Sequence, residues 1–136
     1  MLSRPTTEQV LNGIARDLQE TVLPDCASEP TKVMVGMMVQ LLKSCAQRAA
    51  HETAWARDEA ASIGAAAVRD LGAPASLHLD DVLGWYHTVS QVLSEGVEAA
   101  YRSGNAAEIA KWRALIDARR AHETQILGAL ELVGRG

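Results

Sequence analysis

The sequence has no phenylalanine and few other aromatic residues, with three Trp and two Tyr among 136 residues. Val, Ile and Thr do not form the alternating runs that strands need, which argues against a β-sandwich or a β-barrel. Alanine is abundant instead, as in residues 65–67, and favours helices that pack closely through small side chains. With 48% apolar and 22% charged residues, the composition is that of a globular protein, and we expect one helical domain over residues 1–136.

Cysteine clusters and blocks of like charge are also missing. The two cysteines, Cys26 and Cys45, are far apart and form no CxxC pattern, so we expect two reduced thiols. Thirteen basic and 17 acidic residues give a net charge of −4, and no run of like charge is longer than two or three residues. Such a chain has no electrostatic reason to bind nucleic acid or an anionic membrane.

No apolar run is long enough to cross a membrane. The most apolar stretch, Val33–Leu42, contains Gly36 and Gln40 and is far shorter than the ~20 residues that a spanning helix needs. The first residues lack the apolar core of a signal peptide. We therefore expect a cytoplasmic protein without a membrane segment.

Four amphipathic segments are predicted from apolar spacing and capping residues. Thr6 and Gln9 form a capping box before the first, Ser28 caps the second, and Asn105 with Glu108 forms a second capping box before the last. The predicted helices are residues 6–25, Glu29–Leu71, Leu77–Ser103 and the segment from Asn105 onward. This pattern predicts an all-α, antiparallel four-helix bundle, and the alternative is two helical hairpins that need a partner chain to close the core.

The second helix carries a methionine-rich apolar stripe, which comprises Met34, Met37, Met38, Leu41, Leu42, Cys45, Trp55 and Ile63. We expect the methionines to lie in the core, with an adaptable contact surface as the alternative. Gly64 is expected to bend or break this helix, and Gly72 to follow its C-terminus. Gly104 is expected to end the third helix, whose main stripe comprises Val82, Tyr86, Val89, Leu93, Val97 and Ala100. Trp85 and Val92 lie beside this stripe and would suit an interface between copies of the chain.

A six-residue pattern, R-x-A-H-E-T, occurs at residues 48–53 and again at residues 119–124. The same offset of 71 residues brings the apolar stripes of the first and third helices into register. This suggests two repeated helical hairpins, whereas the alternative is coincidence in an alanine-rich helical chain.

The repeats place charged residues within or beside apolar stripes. The candidate site residues are Arg48, His51, Glu52, Glu59, Arg119, His122 and Glu123. Glu52, Arg119 and Glu123 are expected at the centre of a stripe, where charge is costly unless it is paired or hydrated. Each arginine is within reach of the glutamate four residues later, or of the glutamate of the other copy.

Three interpretations of this charged set are open. It is a salt-bridge network that fixes helix register, a face that contacts a partner subunit, or a pocket in which arginines hold a small anionic ligand. None of Glu52, Glu59 and Glu123 has a histidine three residues later, as a di-iron bundle requires. The glycines form no phosphate-binding loop. We therefore expect neither metal nor cofactor, and no catalytic residue is indicated.

The first third of the chain resembles a known family. Residues 4–11 read RPTTEQVL, Leu18 and the triplet Val22-Leu23-Pro24 follow, and residues 37–42 with Arg48 continue the likeness. These motifs are similar to the start of small bacterial helical accessory proteins whose genes lie beside aminoglycoside-phosphotransferase-like kinases and acyl-CoA dehydrogenases.

The resemblance implies a non-catalytic helical accessory subunit of an acyl-CoA-linked kinase or dehydrogenase system. We accordingly expect a protein partner or a homo-oligomer. The alternative is a small helical-bundle enzyme or binding protein that uses the arginine and glutamate residues to hold an anionic ligand.

Overall fold

A computed structural model describes residues 4–127 of the chain. This range contains four helices and no strand, which confirms the all-α, four-helix class. The helices are α1 (Thr7–Asp17, continued by a π-helical turn at Leu18–Val22 and a last α-turn at Leu23–Asp25), α2 (Glu29–Ala67), α3 (Leu79–Ser103) and α4 (Ala106–Leu127). Among these described helices, none combines the length and the apolar character that crossing a membrane requires. Two apolar residues of the last predicted stripe, Leu130 and Val133, lie outside the described residues.

The predicted starts of α1 and α2 are confirmed by their capping bonds. The Gln9 N–H donates to Thr6 Oγ1 at 3.2 Å, and the Thr6 N–H donates to Gln9 Oε1 at 3.0 Å, which completes the capping box. The Thr31 N–H donates to Ser28 Oγ at 3.2 Å. These side chains satisfy backbone groups that have no partner within the first turn of a helix.

The second predicted capping box is only half formed. Asn105 Oδ1 accepts the N–H groups of Ala107 and Glu108 at 2.9 and 3.2 Å, as an N-cap does. The Asn105 N–H, however, donates to Ser103 Oγ at 3.1 Å, and the Glu108 carboxylate pairs with Lys111. Because the Ser103 hydroxyl at the end of α3 already accepts the Asn105 N–H, this amide needs no hydrogen bond from Glu108.

Helix α2 ends at Ala67, four residues before the predicted Leu71. Val68 adopts a left-handed backbone with φ of 53°, and the Arg69 N–H turns back to donate to the Gly64 carbonyl at 2.9 Å. Gly64 does not break the helix, which continues to Ala67, so the expected break is wrong. A Cβ at that position would lie 2.8 Å from the Arg69 carbonyl oxygen, so glycine is needed for close approach of the returning chain.

The link between α2 and α3 is longer than predicted. Gly72 is left-handed, with φ of 63°, but it lies within this link and not directly after the helix. Helix α3 begins at Leu79, with Asp80 and Asp81 in its first turn, where the helix dipole favours negative charge. It ends at Gly104, which is left-handed with φ of 68°, as a terminating glycine usually is.

The chain divides into two compact units. The hairpin unit contains residues 1–52 and 123–136, of which 4–52 and 123–127 are described, and the core unit contains residues 53–122. The α2 helix contributes its first part to the hairpin unit and its second part to the core unit. A single domain over residues 1–136 stays a prediction.

The hairpin unit has a small buried centre, formed by Ala15, Val35 and Val39. The partly buried side chains packed on it are Leu18, Leu23, Cys26 and Leu42. The π-helical turn of α1 has a longer repeat than an α-turn, so Leu18 and Leu23, five residues apart, pack on the same buried group. Lys43 Nζ also donates to Gln19 Oε1 at 2.9 Å, and links α1 to α2.

The core unit packs the second part of α2 with α3 and α4. Its main buried cluster consists of Ala60, Ile63, Val89, Val92, Leu93, Ala100 and Trp112. On α4, Arg119 reaches Glu59, whereas Lys111, about two turns earlier, donates to the Ala66 carbonyl at 3.3 Å. Moving backward along α4 thus corresponds to moving forward along α2, and these two helices are antiparallel.

Helices α3 and α4 are also antiparallel. Arg119 donates to Ser90 at 3.1 Å, and Trp112 packs directly on Gly96, one to two turns further along α3. Because α4 is antiparallel to both, α2 and α3 run in the same direction within the core unit. Residues 68–78 therefore form a crossover that returns along the helices.

Candidate functional site

A polar network joins the three helices of the core unit. The Glu59 carboxylate accepts hydrogen bonds from the Tyr86 hydroxyl and from Arg119 Nε, the latter at 2.6 Å. Arg119 Nη2 donates to Ser90 Oγ at 3.1 Å, and its guanidinium carbon lies 5.4 Å from the centre of the Tyr86 ring. The Glu59 side chain is only 9% exposed and the Arg119 side chain 25%.

The phenol of Tyr86 is held in its protonated form. Burial raises its pKa most, the hydrogen bond to Glu59 and the charge of that carboxylate raise it further, and Arg119 lowers it to a smaller extent. The phenol therefore acts as a donor to Glu59 and not as a base. Together with Ser90, it forms hydrogen bonds to the paired charges at Glu59 and Arg119, so these residues make a salt-bridge network among the three helices.

The first copy of the repeat lies in a different environment. Arg48 Nη1 is 3.4 Å from Glu52 Oε1, which confirms the predicted pairing over four residues, and these side chains are 53% and 32% exposed. Arg119 pairs with Glu59 instead of the glutamate four residues later. Glu123 is exposed, so its predicted place at the centre of a buried stripe is wrong.

The two histidines of the candidate set also differ. His122 is half-buried, and its ring stacks on Trp55 with centroids 4.9 Å apart and an angle of 10° between the planes. His51 lies on the exposed side of α2. The structure thus brings Glu59 together with Arg119, and Arg48 together with Glu52. It adds Tyr86 and Ser90, whose only signal in the sequence was their position on or beside the stripe of α3.

The methionines of α2 do not lie in the core, and the prediction that they do is wrong. Five apolar side chains on one side of the first part of α2 are between 46% and 69% exposed: Val33, Met34, Met37, Met38 and Leu41. We call this set the methionine face. Helix α1 packs on the neighbouring side of α2 instead, through Val35 and Val39, and Cys45, also expected in the core, is exposed. Their exposure is compatible with the alternative, an adaptable contact surface, which stays a prediction.

The second side of α3 is covered, contrary to the expectation of an interface there. Val92 is buried in the core unit, and Trp85 packs against the same cluster. The Trp85 indole N–H donates to the Leu71 carbonyl at 2.9 Å. The crossover at residues 68–78 takes the place that a second copy was expected to occupy.

The crossover also leaves a cleft of about 360 Å³ in the core unit. One wall is α2 and the other is the returning chain, with Trp85 at the side. The charged groups that line it are Arg57, Arg69 and Asp70. None of them belongs to the set that the sequence singled out, because they lie outside the apolar stripes and in the link.

The network, the methionine face and the cleft are three separate features of the described residues. Within residues 4–127, no three His, Cys, Asp or Glu side chains are grouped as metal ligands would be. Comparison of the chain with protein-family models, with curated proteins and with solved structures finds no match.

Proposed function

We propose that this protein is a non-catalytic accessory subunit that binds a larger protein through the methionine face. The observation that carries the proposal is the exposure of five neighbouring apolar side chains on one side of α2. Single exposed apolar residues are ordinary, whereas a contiguous patch marks an interaction surface. Methionine suits such a surface because its flexible, polarizable side chain adapts to a partner.

The spacing of this face indicates what kind of surface it fits. Met34, Met37, Met38 and Leu41 stand at positions i, i+3, i+4 and i+7, the pattern with which an amphipathic helix fills an apolar groove. Arg48 lies two turns beyond Leu41 on the same side of α2, and its guanidinium is largely exposed. The partner proposed is therefore a folded protein with an apolar groove and a carboxylate at its rim.

The resemblance of the first third of the chain supports an acyl-CoA-linked kinase or dehydrogenase as this partner. The other prediction, a pocket in which the arginine and glutamate residues hold an anion, has less support. Arg119 is already bound by Glu59 and Ser90 and faces the Tyr86 ring, so its guanidinium has little freedom for a ligand.

The test uses the purified chain with a purified aminoglycoside-phosphotransferase-like kinase and a purified acyl-CoA dehydrogenase from the same organism. Binding is measured by calorimetry and by co-elution in size-exclusion chromatography. We expect Leu41→Lys to weaken binding by at least ~10-fold, because a charge then enters the centre of an apolar contact. Leu83→Lys is the matched control, since Leu83 is an exposed leucine on α3. Circular dichroism verifies that both variants stay helical.

Each outcome has a distinct meaning. Equal binding by the Leu41 and Leu83 variants overturns docking through the methionine face. Failure of both enzymes to bind the unmodified chain overturns the assignment of the partner. A chain that sediments alone as a dimer, and that Leu41→Lys dissociates, shows a second copy on this face in place of the enzyme.

A further inference from the structure

The walls of the cleft in the core unit are fixed by hydrogen bonds within the protein. The Arg69 N–H donates to the Gly64 carbonyl at 2.9 Å, and the Trp85 indole donates to the Leu71 carbonyl at 2.9 Å. The Gly72 N–H donates to a side-chain oxygen of Asp70 at 2.8 Å. The returning chain is thus held against α2 and α3, and these hydrogen bonds fix the walls of the cleft.

The turn that starts the cleft is strained. Val68 is β-branched, yet it has φ of 53°, a left-handed conformation that is strained for an L residue. Its side chain is 93% exposed, so packing of the valine itself does not compensate the strain. The turn instead places the next two residues, Arg69 and Asp70, on the lining of the cleft.

Two arginines on this lining are without an ionic partner. Within residues 4–127, neither Arg57 nor Arg69 forms an ion pair, in contrast to Arg119. A guanidinium on a concave surface binds a carboxylate through two parallel hydrogen bonds. Asp70 offsets part of the positive charge, which favours a single carboxylate over a polyphosphate.

The other side chains on the lining are apolar. The α2 wall presents small side chains at Ala60, Ala61, Gly64 and Ala65, and the Trp85 ring closes one side. The volume of about 360 Å³ is at the lower end of the ~300–1,000 Å³ typical of ligand pockets. These dimensions fit one ring or a short branched chain.

We propose that the cleft binds a small monocarboxylate with an apolar body. Arg57 and Arg69 hold the carboxylate, and the apolar body lies on the alanine wall of α2 beside the Trp85 ring. This site is independent of the methionine face, and it requires neither a partner enzyme nor a reaction.

The test is a titration of the full chain with phenylacetate, followed by amide chemical shifts. We expect saturable shifts at residues 69–74, and at least ~10-fold weaker binding of phenylacetamide, which has the same shape without the charge. Arg57→Gln and Arg69→Gln should each weaken phenylacetate binding ~10-fold. Arg113→Gln, at an exposed arginine of α4, is the control and should change nothing.

Ala61→Phe fills the cleft without removing a charge and should abolish the saturable shifts. Equal binding of the acid and the amide overturns the proposal, as do unchanged affinities in both arginine variants. Shifts that cluster outside residues 69–74, or that do not saturate, overturn it as well. Thermal unfolding verifies that each variant is folded.

Discussion

The core unit and the hairpin unit cover their helices to different extents. The core unit buries large side chains such as Ile63, Val89 and Trp112 among three helices. Within its described residues, the hairpin unit buries Ala15, Val35, Val39 and Ala46, and no leucine, isoleucine or aromatic side chain, although its part of α2 also carries many apolar residues. Helix α1 covers one side of the first part of α2 through Val35 and Val39, and the neighbouring apolar side stays accessible as the methionine face. Apolar spacing alone therefore does not decide whether a residue belongs to a core or to a contact surface.

The same contrast holds for charge. Arg119 is largely buried in a network with Glu59 and Tyr86, whereas Arg48 forms an exposed pair with Glu52 within one helix. The two copies of the sequence pattern therefore contribute differently to the free energy of unfolding. Removing one partner of a buried ion pair leaves a charge without compensation and costs more than removing one partner of an exposed pair.

The largest expected effect compares two helical glycines. A Cβ at Gly96 would overlap the Trp112 ring, whereas a Cβ at Gly36 would meet no atom within 4 Å. We expect Gly96→Ala to lower the free energy of unfolding by ~3 kcal/mol through overpacking. Gly36→Ala should raise it by up to ~1 kcal/mol, because alanine favours the helix. Urea unfolding measures both, and effects of the same sign would remove the distinction between the two units.

A smaller effect compares the two arginines of the repeat. Arg119→Ala leaves the buried Glu59 carboxylate without its cation, and we expect a loss of ~2 kcal/mol of unfolding free energy, less than for a fully buried pair. Arg48→Ala removes an exposed pair and should cost no more than ~0.5 kcal/mol. Thermal and urea unfolding of both variants check this. Equal losses of unfolding free energy would mean that the Arg48 pair stabilises the fold as much as the Arg119 pair does.

The smallest effect concerns pH and the tyrosine of the network. The pKa of Tyr86 is raised in the folded state. Tyr86 therefore contributes fully to the free energy of unfolding below its pKa in the unfolded chain, ~10, and this contribution is lost as the pH rises above that value. Above that pH the unfolded chain releases the phenol proton first, and stability falls. Urea unfolding between pH 8 and pH 11 should show a shallower fall for Tyr86→Phe than for the unmodified chain.

Tyr101→Phe is the matched control, because Tyr101 is the other tyrosine and its ring is exposed. It should follow the pH dependence of the unmodified chain. If the decrease in unfolding free energy at high pH becomes equally shallow in both phenylalanine variants, the network does not cause that decrease.

The elements that the sequence predicted well depend on a few neighbouring residues. The capping box at Thr6, the cap at Ser28 and the terminating Gly104 are each specified within one turn of chain, and all three are present. The stripe of α3 was also predicted, since Val82, Val89 and its other apolar members follow one helical period and are covered by two helices.

The parts that were missed depend on contacts between distant segments. The partner of Arg119 is Glu59 because α2 and α3 run in the same direction, which the crossover at residues 68–78 determines. The sequence marks that segment as a break but not as a returning chain. A valine at position 68 even argues against the left-handed turn that it adopts. The cleft follows from the same turn and was missed with it.

The π-helical turn of α1 has an evolutionary consequence. It separates Leu18 and Leu23 by five residues on one packed side, where an α-helix would separate them by four. Deleting one residue between these two leucines would therefore return the turn to the α-helical repeat while both side chains still face the buried group. In a descendant or ancestor with an uninterrupted α-helix here, the alignment would contain a single-residue gap between these two leucines, while the fold on either side stays the same.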